Sequence, residues 1–294
     1  MTLLLLVVLA AGACGGGDGN GEGNGEGLSV MATTPVLAAL VQGVTGDVAS
    51  VASVIPAGTD PHAYQASARE RSRMLQADLL VVNGADLEEG LLDVIDETAK
   101  DGVPVLVAMD AVEARRYPGG ELDPHFWHDP EQAGAVVVAI GDRMADLDPV
   151  NAGGYREAAA SFSVDLDRLT GEISAMFAAL RPQRRLLVTN HDAYRYFTAR
   201  FGFEVLGTIL PGRSTDAVPS PAHLAGLAAS MRERKVCAVF AEEEESTSLA
   251  EALAREVGPD VAVVTLFAGT LPDGYEDLLR ENAACIAGTL ARCG

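Results

Sequence analysis

The sequence predicts an α/β fold of two lobes, each a mostly parallel sheet flanked by helices, joined by one long backbone helix. Three observations carry this expectation. Short β-branched and leucine-rich runs alternate with helical periods from residue 28 to 108, and the alternation resumes from residue 185 to the end. Strands separated by helices form parallel sheets covered on both faces. Between the two stretches Tyr155, Ala159, Phe162, Leu166, Leu169, Ile173, Phe177 and Leu180 recur at steps of three and four, the stripe of a single amphipathic helix.

The chain opens on an apolar run ending in Ala11, Gly12, Ala13 and Cys14. The run is too short to cross a bilayer as a helix, and small residues before a cysteine read as a lipoprotein-like export signal over residues 1–14. Residues 15–27 are Gly, Asp, Asn and Glu only. With nothing apolar to bury, they are expected to form a flexible acidic tether.

The first lobe is expected over 28–148, with strands at 28–32, 48–55, 79–83 and 103–108 and helices at 35–44, 67–76 and 87–100. A turn-rich loop, Pro56-Ala57-Gly58-Thr59-Asp60-Pro61-His62, follows the second strand. The linking helix is assigned to 149–182; from 151 to 181 it would run about 45 Å at about 1.5 Å per residue, a rigid spine stopped by Pro182. The second lobe, 183–294, is expected to hold strands at 185–189, 204–209, 237–241 and 261–266. Its helices are expected at 194–201, 221–235, 247–257 and 275–290.

Charge narrows the function. With 42 acidic against 21 basic residues the chain carries a formal charge of -21, which argues against nucleic acid and suits the attraction of cations. No later run is long and charge-free enough to span a membrane. The body holds Cys237, Cys285 and Cys293, whose spacing is unlike a zinc cluster. Outside the cytoplasm one disulfide with one cysteine left over is expected, with Cys237 pairing to either of the other two.

Of five histidines, His62 lies in the loop after the second strand and His191 just past the strand 185–189. His125 and His128 flank Trp127 in the proline-bounded segment 122–130. Such positions let imidazoles point into a cleft at the carboxyl ends of strands, and neutral imidazole suits zinc, whose sites commonly take three protein ligands. Spacing alone leaves unrelated surface histidines equally open. His223, inside Ser220-Pro221-Ala222-His223, reads as an ordinary helix residue. In Glu242-Glu243-Glu244-Glu245 the last three read either as a solvated lead-in to the next helix or as a cation attractor.

Segments 54–65, 77–84, 122–130 and 188–197 together resemble the zinc and manganese substrate-binding proteins of bacterial ATP-driven importers, the cluster A-I metal receptors. The likeness runs from residue 28 to the end. It implies a receptor rather than an enzyme, extracytoplasmic as a cell-surface lipoprotein or periplasmic protein, that captures Zn²⁺ between its lobes. The implied metal ligands are His62, His125 and His191; His128 falls on a position that is usually apolar and is expected to hydrogen-bond locally. The implied partners are an ABC permease and its ATPase, with the membrane reached through a lipid anchor on Cys14; the receptor is expected to be a monomer, and the long helix implies small rocking motions.

Three imidazoles favour zinc over manganese; manganese members tend to carry a carboxylate where His191 stands. The fourth ligand, usually an Asp, falls on Gly269. A water or small anion is therefore expected to complete the tetrahedron, with Asp60, Glu242 and Asp273 as alternative donors. The stretch 111–121 lacks the histidines that zinc receptors often place there. Because unperturbed imidazole titrates near pH 6.5, affinity is expected to fall steeply below about pH 6. The alternatives are a manganese receptor of the same family and a metal-binding adhesin or scaffold. A zinc hydrolase finds no helical His-Glu-x-x-His and no Ser-His-Asp set to support it.

Overall fold

A computed structural model describes residues 27–293 apart from 213, 270 and 272. The expected export signal, the Cys14 anchor and all but the last residue of the tether lie outside the described residues. In the first sheet β1 (Ser29–Ala32), β2 (Ser50–Ser53), β3 (Leu79–Val82) and β4 (Val105–Val107) run parallel in the order β2-β1-β3-β4. The second repeats this plan with β5 (Leu186–Thr189), β6 (Glu204–Thr208), β7 (Ala238–Glu242) and β8 (Ala262–Leu266) in the order β6-β5-β7-β8. Strands β3, β5 and β7 are buried along their whole length, which is why they read as near-continuous apolar runs rather than as alternation. In both sheets the strand order reverses between the two central strands. Such a reversal opens a crevice at the carboxyl ends.

Helix α1 (Pro35–Thr45) starts where the sequence predicts, because Pro35 sits in its first turn and the Thr34 hydroxyl accepts the Leu37 N–H at 3.2 Å. Helix α2 (Ala68–Met74) begins on a capping box between Ser67 and Glu70. Helix α3 (Leu92–Lys100) starts later than expected, since Glu89–Leu91 forms a 3₁₀ turn first. Helix α4 (Pro130–Leu147) is an element the sequence reading lacks. Its signals are ordinary ones: Asp129 caps the Glu131 N–H at 3.1 Å, and Ala133, Val136, Val137, Ile140 and Met144 form a buried stripe.

The spine is α5 (Ala152–Ala178), 27 residues and therefore about 40 Å long. Its buried face is the expected stripe, with Phe162 only partly covered. It ends before the expected Arg181, which is extended at φ -63° and ψ 141° as the residue before a proline prefers. Helix α4 lies close against α5: a Cβ on Gly141 would meet the Ala159 Cβ at 2.6 Å and the Tyr155 carbonyl at 3.2 Å.

The second lobe adds α6 (Arg195–Phe201), α7 (Pro221–Arg234), α8 (Ser248–Val257) and α9 (Tyr275–Arg292). One apolar cluster runs through α1, α4, α5 and α9 and into both sheets, and each lobe has a smaller private core besides. Cys237, just before β7, is bonded to Cys293, just past α9, with Cα atoms 5.9 Å apart. Cys285 is free and exposed. Among the described residues no helix is long and apolar enough to cross a membrane.

Candidate metal centre

His62 is presented by the loop after β2. Its N–H donates to Asp60 Oδ1 at 2.9 Å, an Asx-type turn, while Asp60 Oδ2 accepts the Thr215 hydroxyl of the other lobe at 2.5 Å. His125 is reached through a buried polar network. Asn83 Nδ2 donates to the carbonyl of Pro124 at 3.0 Å and its N–H donates to Glu88 Oε1 at 2.7 Å; burial raises the Glu88 pKa. His191 follows β5 directly, and the Thr189 hydroxyl holds its carbonyl at 2.8 Å. Two imidazoles thus come from one lobe and one from the other.

The structure brings all three predicted histidines together. They are 5%, 2% and 4% exposed, and His125 Nε2 lies 3.3 Å from His62 Nε2 and 3.2 Å from His191 Nε2. Nitrogens held about 2.0–2.1 Å from a tetrahedral zinc ion stand about 3.3 Å apart. The rings face a cavity of about 40 Å³, room for roughly one water or ion. The three form a group that could hold a metal ion.

Carboxylates stand behind two of the rings. Asp123, fully buried, takes the His125 Nδ1–H at 2.8 Å and the His125 N–H at 3.0 Å. Burial raises the Asp123 pKa to about 6, so at pH 7 it is an ionised acceptor that fixes the proton on Nδ1 and leaves Nε2 for the cavity. His191 Nδ1 lies 3.1 Å from Glu242 Oε2. Burial alone would lower the His191 pKa, but Glu242, helped by Glu245 and Asp60, overrides it and raises the pKa to about 9. Burial, reinforced by neighbouring carboxylates, pushes Glu244 and Glu245 up to about 7.

The remaining candidates separate. His128 is buried, stacked on Tyr194 at 4.5 Å. It lines the cavity but stands outside the group of three; its Nε2 makes no hydrogen bond among the described residues, and burial drives its pKa well down. His223 lies on α7 and donates to the Thr208 carbonyl at 2.8 Å. Asp273 is exposed and does not line the cavity, whereas Asp60, Glu242 and Gly269 do.

Sequence reasoning missed Tyr117, whose hydroxyl lies 3.2 Å from Asp123 Oδ1 and 3.0 Å from the Asp192 carbonyl across the lobes. Of the glutamates that the sequence reads either as a solvated lead-in or as a cation attractor, Glu244 and Glu245 line the cavity. The signal for them was present in four glutamates at the carboxyl end of a central strand.

Across residues 30–289 the chain matches the family described as zinc-uptake complex component A, periplasmic. It is 30% identical over 275 residues to the zinc-binding protein TroA of Treponema pallidum, covering 90% of this chain and 89% of TroA. The solved structure of periplasmic zinc-binding TroA superposes with a TM-score of 0.85 at 27% identity, over 90% of this chain and 100% of that one. The manganese-binding lipoprotein MntA of Halalkalibacterium halodurans is 27% identical over 295 residues, 98% of this chain and 97% of MntA. The laminin-binding protein Lmb of Streptococcus agalactiae, described as a bifunctional protein with adhesin and metal transporting activity, superposes with a TM-score of 0.81 at 29% identity over 90% and 99% of the two chains. A match that runs from β1 into α9 settles the relationship: the chain belongs to the zinc-uptake complex component A family, the extracytoplasmic cluster A-I metal receptors.

Proposed function

We propose that this chain captures Zn²⁺ on the Nε2 atoms of His62, His125 and His191 and delivers it to an ABC permease driven by a cytoplasmic ATPase. In this reading a lipid on Cys14 holds the receptor at the membrane, and residues 15–27 give it reach. The observation that carries the reading is the trio of buried Nε2 atoms 3.2–3.3 Å apart, drawn from both lobes around one small cavity. An ion bound there ties the lobes together, so release requires them to part. No bond in a substrate is made or broken.

Zinc is favoured by the donor set, since three imidazoles suit a borderline ion and manganese prefers oxygen. The zinc-binding TroA supports it as well. A manganese reading has its own support in the glutamates lining the cavity and in MntA. Elemental analysis of the purified protein and competitive titration of zinc against manganese separate the two. We expect one zinc per chain and a clear zinc preference. His125→Ala should weaken zinc binding by more than the roughly 10–100-fold that loss of an outer partner of a metal ligand costs, with the metal-free fold intact. Manganese in the purified protein with no preference for zinc would overturn the choice of metal, and unchanged affinity in His125→Ala would overturn the site.

A further inference from the structure

Residues 115–123 form a short hairpin that leaves the first lobe, touches the second and returns. Arg116 and Leu122 pair as an antiparallel bridge. The Tyr117 N–H donates to the Glu121 carbonyl at 2.9 Å, and the Asp123 N–H donates to the Arg115 carbonyl at 2.9 Å. On the outgoing side the Arg115 N–H donates to the Tyr196 hydroxyl of the second lobe at 3.0 Å. The returning side delivers Asp123 and, two residues later, His125. A contact of the hairpin with the second lobe is thus wired to a metal ligand of the first.

Tyr117 makes that connection with one atom. From the second lobe, the Arg195 guanidinium sits over its ring at 5.1 Å and also donates to Asp192 Oδ2 at 2.8 Å. The Tyr117 hydroxyl lies 3.0 Å from the Asp192 carbonyl, 3.2 Å from Asp123 Oδ1 and 3.3 Å from His125 Nδ1. A phenol has one proton to donate. Asp123 Oδ1 already accepts the His125 N–H and Nδ1–H, and the Asp192 carbonyl is the nearer acceptor, so the proton goes across the seam. The lone pairs of the same oxygen are then left for the His125 Nδ1–H, which Asp123 and Tyr117 share. Hydrogen bonds in such a chain polarise one another, and acceptors behind a ligand imidazole raise its basicity toward the metal.

We infer that Tyr117 is a positioning residue that couples His125 to lobe contact. The relay from His125 Nδ1–H through the Tyr117 hydroxyl to the Asp192 carbonyl is complete only while the lobes are together, so His125 is at its strongest as a ligand in that arrangement. When the lobes part, Asp192 leaves with the second lobe and the hold on His125 weakens as His191 withdraws. This rests on the receptor reading above.

The test uses the full chain, stopped-flow zinc exchange against a chelator, and NMR of the Co²⁺-loaded protein. Tyr117→Phe keeps the ring under Arg195 and removes the hydroxyl. We expect zinc release to speed up by about tenfold, with association within about twofold of the parent because the relay forms only after the lobes meet. The metal-shifted, exchangeable Nδ1–H resonance of His125 should move and exchange faster with solvent. Tyr155→Phe is the control: it loses a hydroxyl bond to Asp148 at 3.0 Å outside the cavity lining, and its zinc kinetics should match the parent's. If release or the His125 resonance stays at the parent's value in Tyr117→Phe, while His125→Ala still loses binding, the inference is overturned and the receptor reading stands. Equal acceleration in Tyr155→Phe, or association slowed as much as release is hastened, overturns it as well. Failure of the parent chain to bind zinc or Co²⁺ overturns both.

Discussion

His125 and His191 each keep a carboxylate behind the ring, and that carboxylate decides which nitrogen is left for an ion. For His191 it also sets the pH response. With its pKa raised to about 9 in the metal-free protein, His191 must lose a proton before Nε2 can bind. From about pH 9 downward this one proton should cost about tenfold in apparent zinc affinity per pH unit, well above the fall below pH 6 that an unperturbed imidazole implies. Stability runs the other way. His191 has a folded pKa above its unfolded value near 6.5, so its contribution is full below about pH 6.5 and is lost as pH rises through 9. Glu244 and Glu245, held near 7 against 4.5, favour the folded state on the acid side in the same way. The metal-free melting temperature should therefore fall between pH 6 and pH 9 while zinc affinity rises, measured by thermal melts and chelator competition across that range. If both climb together, the His191–Glu242 pair is not what couples protons to the ion. The three histidines were legible through the resemblance carried by the segments around them, since their spacing alone left unrelated surface histidines equally open. Tyr117 was not, because its role depends on a neighbour, Asp192, that only the fold brings near.

Among the elements, strands and helices with one strong period were legible nearly to the residue, and the errors fall where local chemistry competes. Helix α3 starts late because a 3₁₀ turn precedes it, and α5 stops early because Pro182 forbids the helical conformation to Arg181. The missing α4 follows directly after His125, Trp127 and His128, in a stretch where the histidines read as chemistry and the helical stripe went unread. Its contact with α5 yields a pair of opposite expectations. Gly171 lies on the exposed side of α5 with open space at its Cβ position, so Gly171→Ala should stabilise the protein by roughly 0.5–1 kcal/mol through helix propensity alone. At Gly141 the same change meets Ala159 and Tyr155. Overpacking of that kind costs about 1–3 kcal/mol, enough to cancel or exceed the propensity gain. Gly141→Ala should accordingly melt at or below the parent temperature and Gly171→Ala above it, as read by calorimetry. A Gly141→Ala protein more stable than Gly171→Ala would mean that the two helices are not in the contact described.

The whole molecule repeats one strand order in two sheets, and the sequence carried that plan in its alternation of strand and helix. What alternation could not carry was the division of the core. Each lobe keeps a private cluster, but the largest one belongs to both, with α5 packed on α1 and α4 from one side and on α9 from the other. Cross-lobe ties add to it: Arg200 pairs with Asp129 at 2.8 Å, Trp127 Nε1 donates to the Ala268 carbonyl at 2.9 Å, and Tyr275 donates to the Trp127 carbonyl at 2.6 Å. The metal-free protein should therefore melt in one cooperative transition, with calorimetric and van't Hoff enthalpies equal; two resolved transitions would show that the lobes hold together only through the ion. The shared helix also bears on how such a chain can be inherited or re-engineered. A cut in the middle of the spine would strip its buried residues of partners, Tyr155 and Ala159 on one fragment and Leu169, Ile173 and Phe177 on the other. Two halves that look like modules are thus indivisible, and a lobe transplanted from a relative must bring its own side of α5 with it or fail to stay in solution.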